Sequence, residues 1–213
     1  MIKAVIFDRD GVLVDSEGIN VMSAEKAMLT FGIQIDDEDK QHILGNHPRN
    51  YGPYLRTRYV FDLPKFREIQ LQMYYDLFDE TPVFPEAIAL LKVLKEAGFR
   101  LALNTGWDIE ANTRLFAREH LDGIFEVVVT SEMFTNLKPD PESYLAVAHM
   151  LWLQPNACVA IEDTPRWLAA AKAAGMGCIV IPNSYTKHGD FSQADSVVSS
   201  ATDVTIEMIH ALG

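Results

Sequence analysis

The chain has 213 residues, 48% hydrophobic and 23% charged, a composition that excludes a disordered, fibrous or collagen-like protein. Its formal net charge of -12 repels nucleic acid and anionic membrane surfaces, so an anionic substrate needs a locally positive pocket or a bound cation. No apolar run approaches the roughly 18 residues that span a bilayer, and the N-terminus enters a strand-like segment without a signal peptide's charged start. A cytoplasmic protein is expected, with no nucleic-acid or membrane partner, as a monomer or weak homodimer. Cys158 and Cys178, the only cysteines, each sit in an apolar run and read as buried thiols without chemistry.

In chain order, the first strand is expected over Lys3 to Phe7. A long stretch of helical periodicity without a convincing strand follows. Within it Ser16 to Phe31 is amphipathic and stopped by Gly32, while Pro64 to Asp79 carries Phe66, Ile69, Met73, Tyr74 and Leu77 on one face. Pro85 to Ala97 is a further helix, with Ala87, Leu90, Leu91 and Leu94 at helical spacing, Pro85 near its start and Gly98 at its stop. Short β-rich runs recur at Arg100 to Asn104, Glu126 to Val129, Cys158 to Ile161, Gly177 to Ile181 and Ser196 to Val198, apolar and bounded by turn residues as buried parallel strands are. Between most of them lie helical stretches, of which Thr164 to Ala174 is clear, with Thr164 as N-cap and Gly175 as stop. Alternating strand and helix predicts an α/β fold: a doubly wound, Rossmann-like parallel sheet, residues 1–14 and 83–213, with a small helical cap domain, 15–82, inserted after the first strand.

Ligands of such sheets bind beyond the carboxyl ends of the strands, which singles out the residues that follow each strand. After the first come Asp8-Arg9-Asp10-Gly11, two carboxylates at i and i+2 in a loop that Gly11 allows to turn sharply, suited to one group attacking while the other handles protons. After the second come Thr105 and Gly106, a hydroxyl and exposed amides able to hold a phosphoryl oxygen. Lys138 follows the third, ahead of a proline-rigidified loop. Glu162 and Asp163 end the fourth; adjacent carboxylates at the edge of a buried sheet repel unless a cation joins them, which points to Mg²⁺. Singly, each has a plainer explanation: an Asp-rich turn, a strand-ending turn, a solvated lysine, a helix cap at Asp163.

Together, in this order, the motifs FDRDGVLVDS, Thr105, KPDPESY and IEDTPRWLAAAKAAGM resemble the four-motif signature of the haloacid dehalogenase-like superfamily. The branch of β-phosphoglucomutase and phosphoglycolate phosphatase, whose helical cap occupies the same interval, is the most similar. The resemblance implies a phosphatase acting on a small phosphorylated metabolite, a sugar phosphate or a phosphoglycolate-like acid. In it Asp8 is the nucleophile that forms an aspartyl-phosphate, and Asp10 is the acid and base. Mg²⁺ is held by Asp8, the Asp10 carbonyl and Asp163, with Glu162 directly or through water, while Thr105, Gly106 and Lys138 hold the transferring phosphoryl group.

The chain departs from that pattern in places. Asp10 itself argues against the dehalogenases and phosphonate hydrolases of the superfamily, which lack an acid there, although Thr105-Gly106-Trp107 is faintly similar to the latter. Asn20 stands where β-phosphoglucomutases commonly carry a histidine, and an amide cannot titrate, so hydrolysis is preferred over a phosphomutase. The loop Leu44-Gly45-Asn46-His47-Pro48-Arg49 nevertheless resembles the mutase's substrate loop, and Arg49 is either a clamp for a second anionic group or an ordinary surface arginine. Arg9 occupies a position that is usually apolar, where it either raises the local positive potential or forms an ion pair with a cap carboxylate. Trp167 replaces a usual glycine and is expected to pack between helix and sheet or at a surface.

Overall fold

The computed structural model describes residues 1–213. They divide into two compact units, Met1–Val14 with Val83–Gly213, and Asp15–Pro82. The first is an α/β unit around a six-stranded sheet of β1 (Ala4–Phe7), β2 (Arg100–Asn104), β3 (Val127–Val129), β4 (Cys158–Glu162), β5 (Gly177–Val180) and β6 (Ser196–Val197). All neighbouring strands pair in parallel. Their order is β3-β2-β1-β4-β5-β6, so the winding reverses at β1. The sheet is the α/β fold that the alternating pattern predicts, with strand ends differing by a residue from the sequence expectation.

Period two along each strand sends alternate side chains to opposite faces. On one face Ala4, Ile6, Ala102, Val129, Ala160 and Cys178 pack with Tyr144, Val147 and Ala148 of α7 (Glu142–Met150) and Leu168 and Ala171 of α8 (Pro165–Ala173). The residues between them, Val5, Phe7, Leu101, Leu103, Val159, Ile161 and Ile179, are buried as well. Burial on both faces is why these strands read as unbroken apolar runs. Cys158 and Cys178 are free, buried thiols, and burial pushes both up in pKa. The remaining helices of this unit are α5 (Pro85–Glu96), α6 (Ile109–Glu119) and α9 (Ile206–His210).

The second unit holds α1 (Glu17–Leu29), α2 (Asp37–Ile43), α3 (Pro48–Arg58) and α4 (Leu63–Phe78) around a core of Ala24, Ala27, Met28, Ile43, Tyr51, Leu55, Phe61 and Phe66. Gly32, at φ 72, takes the left-handed turn that stops α1. The periodicity of α4 is only half of what it buries, since Gln70, Tyr75 and Phe78 are buried besides Phe66 and Tyr74. Helix α3 escapes sequence reading because Pro53 lies inside it and Gly52 beside it. Gly52 is there for room: a Cβ would stand 2.8 Å from the Leu63 side chain. Pro48 and Arg49, expected in a loop, form the first turn of α3, where the His47 imidazole Nδ1 accepts the Arg49 N–H at 3.0 Å. No helix is long and apolar enough to cross a membrane.

Candidate active site

Sheet register alone assembles most of the site. Phe7 pairs with Leu103 on one side and with Ile161 on the other, so Asp8, Asn104-Thr105 and Glu162-Asp163 leave the carboxyl edge side by side. Backbone bonds seat two of them: the Asp8 N–H donates to the Ile161 carbonyl and the Thr105 N–H to the Val129 carbonyl, both at 3.0 Å. Asp8, Glu162, Asp163, Thr105 and Lys138 are all buried.

One carboxylate oxygen each from Asp8, Glu162 and Asp163 lie within 4.8 Å of one another. The Lys138 ammonium joins them from the loop after β3, with its Nζ 3.6 Å from Asp8 Oδ1, 3.5 Å from Glu162 Oε1 and 3.4 Å from the Asn104 carbonyl. One lysine does not neutralise three buried acids. Neither oxygen of Asp8 accepts a hydrogen bond, nor does Glu162 Oε2. Burial, with Glu162 adding repulsion, holds the Asp8 carboxyl well above the usual range; Lys138 opposes the shift without cancelling it. Burial likewise raises Glu162 to about 7. Orphaned, mutually repelling carboxylate oxygens are the donor set of a hard divalent cation, and these residues fit Mg²⁺.

Between Asp8 and Val14 the chain turns back on itself: the Gly11 N–H donates to the Val14 carbonyl, and the Leu13 and Val14 N–H groups to that of Arg9. Gly11 has φ 76, and a Cβ there would stand 2.1 Å from Asp163 Oδ2 and 2.6 Å from Asn183 Nδ2. Glycine therefore serves both the turn and the close approach of the fourth-strand carboxylate. Asp10 receives the Arg9 guanidinium in a fork, Nη2 to Oδ1 at 2.8 Å and Nε to Oδ2 at 3.2 Å, and Arg9 also lies 5.4 Å from the Trp107 ring centroid. The Thr105 hydroxyl oxygen accepts the Trp107 N–H at 3.1 Å, which fixes the turn through Gly106.

The structure brings Asp8, Lys138, Glu162 and Asp163 into contact distance and sets Thr105 at the adjacent strand end. Arg49 is exposed and belongs to the helical unit. Asn20, also in that unit, accepts from the Tyr51 hydroxyl and donates to the Asn46 carbonyl, both at 3.2 Å. Two contributors escape the sequence. Asn183, in the loop after β5, donates to Asp163 Oδ2 at 2.8 Å, while its own Oδ1 accepts the N–H groups of Tyr185 and Thr186. Trp167 lies on the Lys138 ammonium, 3.3 Å from Nζ to the ring centroid. Asp8 is marked by the joint pattern of the four motifs, whereas no residue pattern around Asn183 gives its side chain a role.

A buried acid cluster with one lysine at the carboxyl edge of this sheet defines a class of hydrolase, and the family model described as "haloacid dehalogenase-like hydrolase" matches residues 2–175. The chain belongs to that family. It is 29% identical to hexitol phosphatase B of Escherichia coli strain K12, over 96% of this chain and 95% of the relative. It superposes on a crystal structure of CbbY from Rhodobacter sphaeroides in complex with phosphate with a TM-score of 0.86 and 26% identity, covering 99% of this chain and 100% of that one. It is also 30% identical to the chloroplastic protein SUPPRESSOR OF QUENCHING 1 of Arabidopsis thaliana over 87% of its own length, but spans only 18% of that protein.

Proposed function

We propose that the chain is a Mg²⁺-dependent phosphatase of small phosphorylated metabolites, sugar phosphates or phosphoglycolate-like acids, working through an aspartyl-phosphate on Asp8. The observation that carries this is the Asp8 carboxylate: buried, accepting no hydrogen bond, and flanked by Lys138 at 3.6 Å. An oxygen held without a partner is a nucleophile whose lone pairs are not already engaged.

In this reading Asp8 attacks phosphorus while the Lys138 ammonium and the amides at Thr105 and Gly106 take up the charge on the transferring oxygens. Asp10 gives a proton to the departing alkoxide and takes one from the water that then cleaves the acyl-phosphate. Arg9, forked onto both Asp10 oxygens, orients that carboxyl group. Asp8, Glu162, Asp163 and the Asp10 carbonyl hold Mg²⁺, which supplies the positive charge that lets a dianionic ester approach an acidic site. The -12 net charge of the chain makes this local compensation necessary.

Hydrolysis is favoured over transfer between sugar hydroxyls by Asn20, whose amide is engaged by Tyr51 and Asn46 and carries no titratable proton. The relative named a hexitol phosphatase supports a sugar or sugar-alcohol phosphate as substrate, and the neighbour solved with phosphate supports a phosphoryl group at this site. Arg49 is the candidate within the helical unit for a second anionic group of the substrate. The test is release of inorganic phosphate from a panel of phosphorylated sugars, sugar alcohols and short acids, with and without Mg²⁺, in the native chain and in Asp8→Asn. Mg²⁺-dependent release that disappears in the variant is expected, and release surviving in Asp8→Asn overturns the assignment.

A further inference from the structure

Lys138 is held in an unusual way for a buried cation. Its three oxygen neighbours stand at 3.4, 3.5 and 3.6 Å. Charge-assisted contacts between an ammonium and a carboxylate close to about 2.7–2.9 Å when nothing restrains them. Here the nearest partner is an aromatic ring, with a second one behind it. The centroid of the Trp167 ring lies 3.3 Å from Nζ and that of Tyr144 4.8 Å away. Tyr144 is fully buried in the core beneath α7, so its ring is fixed. The backbone of Trp167 is fixed too, since it is the third residue of α8 and its N–H donates to the Thr164 cap oxygen at 3.3 Å.

We propose that Trp167, seconded by Tyr144, is the positioning residue for Lys138, holding the ammonium by its π-face short of Asp8 and Glu162 so that both nucleophile and cation stay available to a phosphoryl group. The inference rests on the reading of Lys138 as the phosphoryl-binding cation. A cation over an indole face is attracted by the ring quadrupole, most strongly when desolvated, and Lys138 is 6% exposed. The ring offers attraction without a hydrogen-bond acceptor, so the ammonium's N–H groups remain directed elsewhere. A tight ion pair with Asp8 does the opposite, because it engages the attacking oxygen and discharges the cation at once.

The experiment compares Trp167→Phe and Trp167→Leu in the full-length chain. Leucine fills space without a π-face, whereas phenylalanine keeps a weaker one. Inorganic phosphate binding in saturating Mg²⁺, measured calorimetrically, is expected to weaken by about tenfold in Trp167→Leu and by clearly less in Trp167→Phe. The loss in kcat is expected in the same order, with melting temperatures alike. Equal phosphate affinities in the two variants overturn the proposal, since a π-face contribution requires them to differ.

A second measurement needs neither turnover nor phosphate. With Trp107 and Trp152 replaced by phenylalanine, Trp167 is the sole indole, and removing the ammonium by Lys138→Met shifts its emission maximum if the cation rests on the ring. No shift overturns the proposal even where turnover is found. A shift in a chain that releases phosphate from no member of the substrate panel leaves the clamp standing and removes the phosphatase reading instead.

Discussion

Two charged clusters in this molecule use the same residue types to opposite ends. In the helical unit Asp39 is buried with both oxygens engaged: Oδ1 accepts from Arg58 at 2.7 Å, Oδ2 from the Tyr59 hydroxyl at 2.6 Å and from the Asp36 N–H at 3.1 Å. Asp36 closes the network by accepting from Arg58 Nη2 at 2.7 Å and from the Asp39 N–H. Its hydrogen bond from Arg58 lowers the Asp36 pKa and raises that of Arg58. In the α/β unit Asp8 and Glu162 are as deeply buried, yet their pKa values rise, and both Asp8 oxygens and Glu162 Oε2 accept no hydrogen bond. A complete network ties helices together; an incomplete one is stable only at a cost, and holds a place for a charge brought from outside.

The largest effect that separates the two belongs to Asp8→Asn. Turnover should fall by about 10⁴-fold or more, because the nucleophile is replaced rather than weakened. The metal-free protein should at the same time become more resistant to heat, since one of the repelling acids is gone. A loss of turnover together with a loss of thermal stability contradicts the view of Asp8 as held under strain.

Asp39→Ala tests the other side. It leaves Arg58 and Tyr59 without a buried acceptor and should lower unfolding free energy by about 2 kcal/mol in urea titrations, with turnover per folded molecule unchanged. If turnover falls in step with stability, the two clusters are not separate in purpose.

Proton linkage sharpens the comparison further. Glu162 titrates near 7 in the folded chain against an ordinary 4.5, and Asp8 is shifted the same way. A raised acid binds protons more tightly folded than unfolded, so its contribution to stability is present below the ordinary value and lost as pH rises through the folded one. The melting temperature of the metal-free chain should therefore fall between about pH 5 and pH 8, and Mg²⁺ should shrink that fall by pairing with the ionised acids. A fall unaffected by Mg²⁺ separates the raised acids from the metal.

The strands of the sheet were legible because buried parallel strands write themselves as short apolar runs, and the site residues because Asp8 directly follows β1, Glu162 and Asp163 close β4, and Lys138 lies in the loop after β3. What register brings together, sequence position announces. Helix α3 was not legible, since Pro53 and Gly52 violate helical pattern for reasons of local packing. The aromatic face on Lys138 was equally hidden. Trp167 is conspicuous in the fourth motif, but whether an indole turns to the core or to an ammonium depends on the rotamer and on where the loop after β3 passes.

Asn183 is the extreme case and gives the smallest predicted effect. Its loop carries no motif, yet two backbone N–H groups accepted by Oδ1 settle which way its amide faces, leaving Nδ2 to hold Asp163 Oδ2 at 2.8 Å. A carboxylate with one oxygen tethered presents the other in a fixed direction, as partners behind metal ligands do. Asn183→Ala should accordingly weaken Mg²⁺ binding by about tenfold, read by calorimetry on the metal-free chain, while kcat at saturating Mg²⁺ changes far less. Asn183→Asp, which sets a fourth carboxylate against Asp163, should be worse than alanine. If aspartate instead tightens Mg²⁺ binding, position 183 acts as a ligand rather than as a tether, and the cation sits nearer the loop after β5 than the carboxylate triad alone requires.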